Sequence, residues 1–275
     1  MMRAQETVAM SSSATLSVRD MSIRYPGSTV DAVVRVSLEV GSEKIVVVGP
    51  NGSGKSTLLR AALGLVPVLR GSVQVLGQDV GAIRGETRVG TNLSEVYRLM
   101  TLPVDRLIRL WCGLKGVGEG EIRTRIQEFG LSSTLDRPLH RLSTGQAKLV
   151  GDLLALVGTP QLLLLDEPFD NVDFGRRRRY LALLSRSDAA VVMNTHELDL
   201  LTYLPDWRLH FMFEGQLVGP FRAAEIDRLY VNRGARSGQL AAFDSAFGPI
   251  SVTRDRGDWP IKAVNNLSYL LERLP

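Results

Sequence analysis

The chain has 275 residues, 44% hydrophobic and 23% charged, a globular composition long enough to bury most of its apolar surface without staples. Its single cysteine, Cys112, excludes an internal disulfide framework and a multi-cysteine zinc site. Lysine and arginine number 33 against 29 acids, a net charge of +4 that permits an anionic partner without requiring one.

Residues 1–15 are small and polar and are expected to form a loose tail. The apolar stretch after Arg3 is too short for a signal peptide and stops at Ser11-Ser12-Ser13. Leu16, Val18, Met21, Ile23 and Tyr25 follow a broken period of two, and Val34, Val36, Leu38 and Val40 follow a clean one. These predict two half-buried strands joined by a turn at Pro26-Gly27. The β-branched run at 45–48 is continuous, as in a strand covered on both faces. Residues about 95–145 carry helical spacing (Val104, Leu107, Ile108, Trp111) and no central-strand run, which predicts a helical insertion.

Leu149, Val150, Leu153, Leu154 and Val157 continue as a helix, and two more buried strands follow at 162–165 and 190–193. Between them, Arg176-Arg177-Arg178-Arg179 opens a helix ending near Ser185, read as a solvated face. Trp207, Leu209, Phe211 and Phe213 alternate up to a turn at Glu214-Gly215. Residues 233–238 are the best linker candidate, leaving 233–275 as an extension of unknown role whose Val264, Leu267, Leu270, Leu271 and Leu274 have amphipathic helical spacing. Buried strands alternating with helices imply an α/β fold with a mainly parallel central sheet. No apolar run approaches the roughly 20 residues that span a bilayer.

Gly49-Pro50-Asn51-Gly52-Ser53-Gly54-Lys55-Ser56 matches the phosphate-loop pattern G-x-x-x-x-G-K-[ST]. It directly follows a buried strand, and a helix over residues 58–65 continues it, which is the context the motif demands. Its glycines let successive N–H groups point at phosphate oxygens, beside the positive end of the helix that Thr57 enters. Lys55 is expected at the β- and γ-phosphates and Ser56 on Mg²⁺. Asp166 ends a buried strand of four leucines, where ligands bind in open α/β sheets. It is a candidate metal ligand, and Glu167 is a candidate base for an attacking water.

Leu142-Ser143-Thr144-Gly145-Gln146 opens a helix shortly before that strand. Together with the phosphate loop, it resembles the signature of the ATP-binding cassette (ABC) family, usually L-S-G-G-Q, with Thr144 at the first glycine. The resemblance covers roughly residues 16–220. It implies a P-loop ATPase domain over 16–232, with N-terminal antiparallel strands and a helical insertion. In that family two subunits close head to tail on ATP, so Ser143, Gly145 and Gln146 are expected to complete the site of a partner cassette. An ordinary N-cap serine is the plain alternative. Tyr25 matches the aromatic that stacks on adenine, or else is a strand-end tyrosine. His196 matches the family's switch histidine at the γ-phosphate, and Asp173 ends its D-loop.

Three further positions depart from the family. Ser94 stands where a glutamine usually enters the helical insertion, so that either the adjacent Glu95 serves as a metal ligand or a water replaces the contact. Asp170 replaces the D-loop serine, and Phe169 replaces a small residue. The gap from Lys55 to Ser143 is too short for the coiled coils of DNA-repair relatives, so no nucleic-acid partner is expected. The resemblance therefore implies the ATP-hydrolysing subunit of a transporter, held at the cytoplasmic membrane face by a separate membrane-spanning subunit. A cassette ATPase of the iron–sulfur assembly type and a degenerate ATP-binding switch are the rival readings.

Overall fold

The three continuous apolar runs lie side by side at the centre of one sheet. The computed structural model describes residues 14–83, 85–97, 101–246 and 248–263. The tail over 1–13 and the amphipathic pattern over 264–274 lie outside the described residues. In chain order, β1 (Leu16–Ile23) and β2 (Val33–Val40) precede β3 (Lys44–Val48), and the phosphate loop leads into α1 (Lys55–Ala62). Next come β4 (Arg70–Val75), β5 (Gln78–Asp79), β6 (Val89–Thr91) and α2 (Ser94–Tyr97). The insertion holds α3 (Val104–Lys115) and α4 (Gly120–Glu128), followed by α5 (Thr144–Ala155). Then β7 (Leu162–Asp166), α6 (Phe174–Arg186), β8 (Ala190–Thr195), β9 (Arg208–Phe213) and β10 (Gln216–Arg222) complete the main body.

The central sheet has the order β10-β9-β3-β8-β7-β6. Its strands run parallel except for β10, which returns as a hairpin on β9. Alternation along each central strand separates two cores. Val46, Val48, Leu163, Leu165, Val191 and Met193 face α3 to α6. Ile45, Val47, Leu162, Leu164 and Val192 face α1 and the antiparallel sheet of order β2-β1-β4-β5. Both faces are dry, which is why these runs are apolar at every position.

The helix after the phosphate loop starts earlier than its apolar pattern, at Lys55, and ends at Ala62, where Gly64 takes φ +68°. The expected linker is corrected. Residues 233–238 run between β11 (Leu229–Arg233) and β12 (Ala241–Ser245), two strands of one antiparallel sheet completed by β13 (Gly248–Arg254) and β14 (Trp259–Pro260). Its Val231, Phe243, Ile250 and Val252 join the same core as α3 to α6. The Phe243 ring stacks on Phe213 at 5.0 Å, with 2° between the planes.

The arginine run is solvated at Arg178 and Arg179, as expected, and half-buried at Arg176 and Arg177. Arg176 Nε donates to Phe129 O at 2.8 Å, Arg177 Nε to Val172 O at 2.6 Å and Arg179 Nη1 to Glu128 O at 2.7 Å. Three of the four side chains therefore pin α6 to neighbouring backbone carbonyls, two of them at the end of α4.

Candidate functional site

Because β3, β8 and β7 are adjacent and parallel, their C-terminal ends gather the phosphate loop, Asn194 to His196 and Asp166-Glu167 at one edge. The loop admits only glycine at two points. A Cβ on Gly49 would lie 2.2 Å from Met212 O, and one on Gly54 would lie 2.4 Å from Ala32 O, where φ is +104°. Gly54 is the N-cap of α1 and supplies no side-chain cap, leaving the first helical N–H groups to a ligand.

Lys55 is 5% exposed and donates to Gly49 O at 2.7 Å and Pro50 O at 2.9 Å. Burial lowers its pKa, while the carboxylates of Glu167 and Asp166 pull it back up. Ser56 Oγ donates to Asp166 Oδ1 at 2.7 Å, and Asn194 Nδ2 donates to the same oxygen at 2.6 Å. This hydroxyl and carboxylate are hard oxygen donors of the type Mg²⁺ takes, since that ion keeps its remaining positions for water and phosphate.

Glu167 occupies the left-handed region at φ +44°, an uncommon place for a side chain with a Cβ. Its N–H is held by Asn194 Oδ1 at 2.8 Å. Its carboxylate lies between two bases, with Oε1 3.8 Å from Lys55 Nζ and Oε2 3.0 Å from His196 Nδ1. Tyr25 and Thr57 share a hydrogen bond between their hydroxyls at 3.1 Å. Both line a cavity of about 520 Å³ together with Asn51, Gly52, Ser53, Lys55, Ser56 and Glu167. A larger cavity, about 750 Å³, opens near the N-terminal ends of β7 and β8 and contains none of these groups.

Ser143 is the N-cap of α5 in a reciprocal capping box with Gln146 (Oγ accepts from Gln146 N at 3.3 Å, and Ser143 N donates to Gln146 Oε1 at 3.2 Å). Gly145 faces the D-loop, where an added Cβ would lie 2.1 Å from Asn171 O. Asp173 caps α6 by accepting from Arg176 N at 3.1 Å. Asp170 is exposed and Phe169 is buried against Tyr180, rings 6.1 Å apart.

Glu95, the expected metal ligand, is engaged with Arg60 and Ser94 in this structure. Its Oε1 accepts from Arg60 Nε at 2.7 Å and its Oε2 from Ser94 Oγ at 3.3 Å. Arg60, not Glu95, reaches the wall of the cavity. Two residues that the motifs did not single out hold the site: Asn194, described above, and Asn92 just past β6. Asn92 Oδ1 accepts from Asp166 N at 2.7 Å, and its Nδ2 donates to Asp166 O at 3.2 Å. The only signal for either was an amide at the end of an apolar strand.

A phosphate loop between β3 and α1, facing an acidic pair at the end of the parallel strand β7, one strand removed across β8, defines a P-loop nucleotide-binding cassette. The ABC transporter family model matches residues 33–170, and the chain belongs to that family. It is 38% identical over 177 residues to an aliphatic sulfonates import ATP-binding protein of Burkholderia cenocepacia, covering 62% of this chain and 64% of that protein. An ABC transporter ATP-binding protein of Methanopyrus kandleri is 34% identical over 211 residues, covering 72% and 78%. Among solved structures, a cobalt transport ATP-binding protein superposes with a TM-score of 0.85 at 30% identity, covering 94% of this chain and 99% of that one. That coverage extends into the C-terminal sheet.

Proposed function

We propose that this chain is the ATP-hydrolysing subunit of an importer, driving substrate movement through a separate membrane-spanning subunit. The observation that supports it best is the Glu167 carboxylate, suspended between Lys55 and His196 at the cavity that the phosphate loop walls. Import is the process named for the sulfonate relative. Among the described residues, no helix is long and apolar enough to cross a membrane, which fits attachment at the cytoplasmic face through a partner.

The loop N–H groups and the start of α1 bind the phosphates, and Lys55 turns from its loop carbonyls toward the β- and γ-oxygens. Ser56 and Asp166 would hold Mg²⁺, which neutralises charge on the transferring phosphoryl group. Glu167 takes the proton of the attacking water as the new phosphorus–oxygen bond forms and ADP leaves. His196 holds the Glu167 carboxylate through Nδ1 and stands ready for the γ-phosphate. Tyr25 presents its ring at the cavity rim for the base. Ser143, Gly145 and Gln146 complete the site of a second cassette subunit, since one chain carries one phosphate loop and one signature. The assembled Glu167–His196 pair favours turnover over a binding switch.

Purification from detergent-solubilised membranes, with phosphate release measured on the complex, tests the reading. A membrane-spanning partner and Glu167-dependent turnover are expected. Isolation with iron–sulfur assembly proteins and no membrane partner overturns it.

A further inference from the structure

The Asp166–Glu167 peptide joins the proposed metal ligand to the proposed base, so its orientation sets both. β6 stops at Thr91, paired with Leu164, two residues before Asp166. On that side the ladder has no strand left to satisfy the Asp166 backbone. The Asn92 side chain replaces it, accepting from Asp166 N and donating to Asp166 O. Its amide acts as one more rung of the sheet.

Asn92 is in turn held from α5. Asn92 Nδ2 also donates to Asp152 Oδ1 at 2.6 Å. Asp152 is fully buried, and its Oδ2 has no hydrogen-bond partner among the described residues. One turn earlier on the same helix, Lys148 Nζ donates to Asp166 O as well. The helix is seated tightly: a Cβ on Gly90 would lie 2.0 Å from Ala155 O, and Tyr180 Oη donates to Asp152 O at 3.0 Å. An acid among Leu149, Val150, Leu153 and Leu154 is unfavourable in a purely structural helix, because half of its carboxyl is desolvated without recompense.

We propose that Lys148 and Asp152 are positioning residues: Lys148 directly, and Asp152 through Asn92, tie the helix that begins at Ser143 to the Asp166–Glu167 peptide, so that displacement of that helix moves the catalytic carboxylate. The inference rests on Glu167 being the base. Ser143 caps the far end of the same α5, so an event at the cap reaches the carboxylate through one rigid element and two side-chain links. A shift of about 1 Å at a catalytic group costs on the order of 10²-fold in rate.

The test compares wild type, Asn92→Val/Asp152→Leu, Lys148→Met and Asp152→Asn as full chains, measuring kcat for phosphate release, affinity for a fluorescent ATP analogue and thermal melting. The apolar pair removes Asn92 and Asp152 together, so that neither side chain strands the other; the Asp166 N–H loses its acceptor, a cost that the melting measurement reads. Its kcat and that of Lys148→Met are expected to fall about 10- to 100-fold, with ATP affinity within about threefold. Asp152→Asn keeps an acceptor for Asn92 and is expected to restore kcat to within about threefold. If the apolar pair does not melt cooperatively, Lys148→Met, half-buried, carries the same test. Wild-type turnover with undiminished kcat in these variants overturns the clamp alone. A wild type lacking Glu167-dependent turnover overturns the hydrolysis reading and the inference with it.

Discussion

His196 holds one carboxylate oxygen of Glu167 twice, through Nδ1 at 3.0 Å and through its backbone N–H at 3.2 Å. The Oε1 atom is left toward Lys55. A carboxylate fixed on one oxygen and directed on the other is placed to accept a proton in one direction. Glu167→Gln keeps the size and both His196 contacts but removes the basicity. It is expected to bind ATP normally, to lose about 10²–10⁴ in turnover, and to accumulate as an ATP-bound dimer. Phosphate release and light scattering with and without ATP check this, and turnover within twofold of wild type would assign the base elsewhere.

Lys55→Ala removes the buried ammonium that donates to the loop carbonyls. Hydrolysis is expected to vanish and ATP affinity to fall by about tenfold or more, as a charge-assisted contact is lost. Equilibrium binding with a labelled nucleotide measures the second effect independently of the first.

Gly145→Ala separates the two reasons for that glycine. Its new methyl would meet Asn171 O within the same chain, so the variant is expected to lose stability by about 1–3 kcal/mol even as a monomer. A melting temperature equal to wild type would leave only the contact across subunits to explain the residue.

Glu95 is tied to Arg60, which reaches the nucleotide cavity. Glu95→Ala is therefore expected to change KM for ATP by a few-fold and to leave the Mg²⁺ dependence of turnover where it was, because exposed ion pairs contribute up to about 1 kcal/mol. A rightward shift of the Mg²⁺ titration would return Glu95 to the metal.

Stability should vary with pH through two buried groups. Burial pushes the Asp152 carboxyl up to about 8, against weaker opposing effects of Lys148 and Asn92. Burial lowers His210 to about 4, assisted by Arg208. From pH about 4 to 8 the folded chain keeps the Asp152 proton that the unfolded chain releases, so this acid loses stability as pH rises. His210 does the reverse between about 4 and 6.5, where only the unfolded chain is protonated. The two offset below 6.5. Between 6.5 and 8 only Asp152 of these two groups contributes, with a slope of at most about 1.4 kcal/mol per pH unit. Denaturant melts across that window should show the decline, and Asp152→Asn should flatten it.

The phosphate loop was legible because its chemistry fixes residue types at fixed spacing, and the central strands because burial on both faces leaves no polar position. What escaped the sequence depends on distance along the chain. Asn92 meets Asp152 sixty residues away, and Glu95 meets Arg60 thirty-five residues back. Nothing local distinguishes a glutamate that pairs with arginine from one that binds a metal. In the arginine run, Arg178 and Arg179 are exposed as expected, while Arg176 and Arg177 also reach the backbone carbonyls of Phe129 and Val172, contacts that leave no mark in the sequence. In the C-terminal sheet each strand offers only a few apolar positions, such as Val231 and Phe243, too few to stand out between polar neighbours.

The Phe213–Phe243 stack sets how the molecule is divided. Phe213 ends β9, the neighbour of the strand that feeds the phosphate loop, and Phe243 supplies its cover from the last sheet. The hairpin of β9 and β10 is thus a party wall, and neither tenant can be removed without exposing the other's aromatic lining. Exchange of C-terminal pieces between related cassettes would succeed only where the incoming piece brings a flat ring to that spot. Insertions are tolerated instead at Ser237-Gly238, the exposed tip of the turn between β11 and β12.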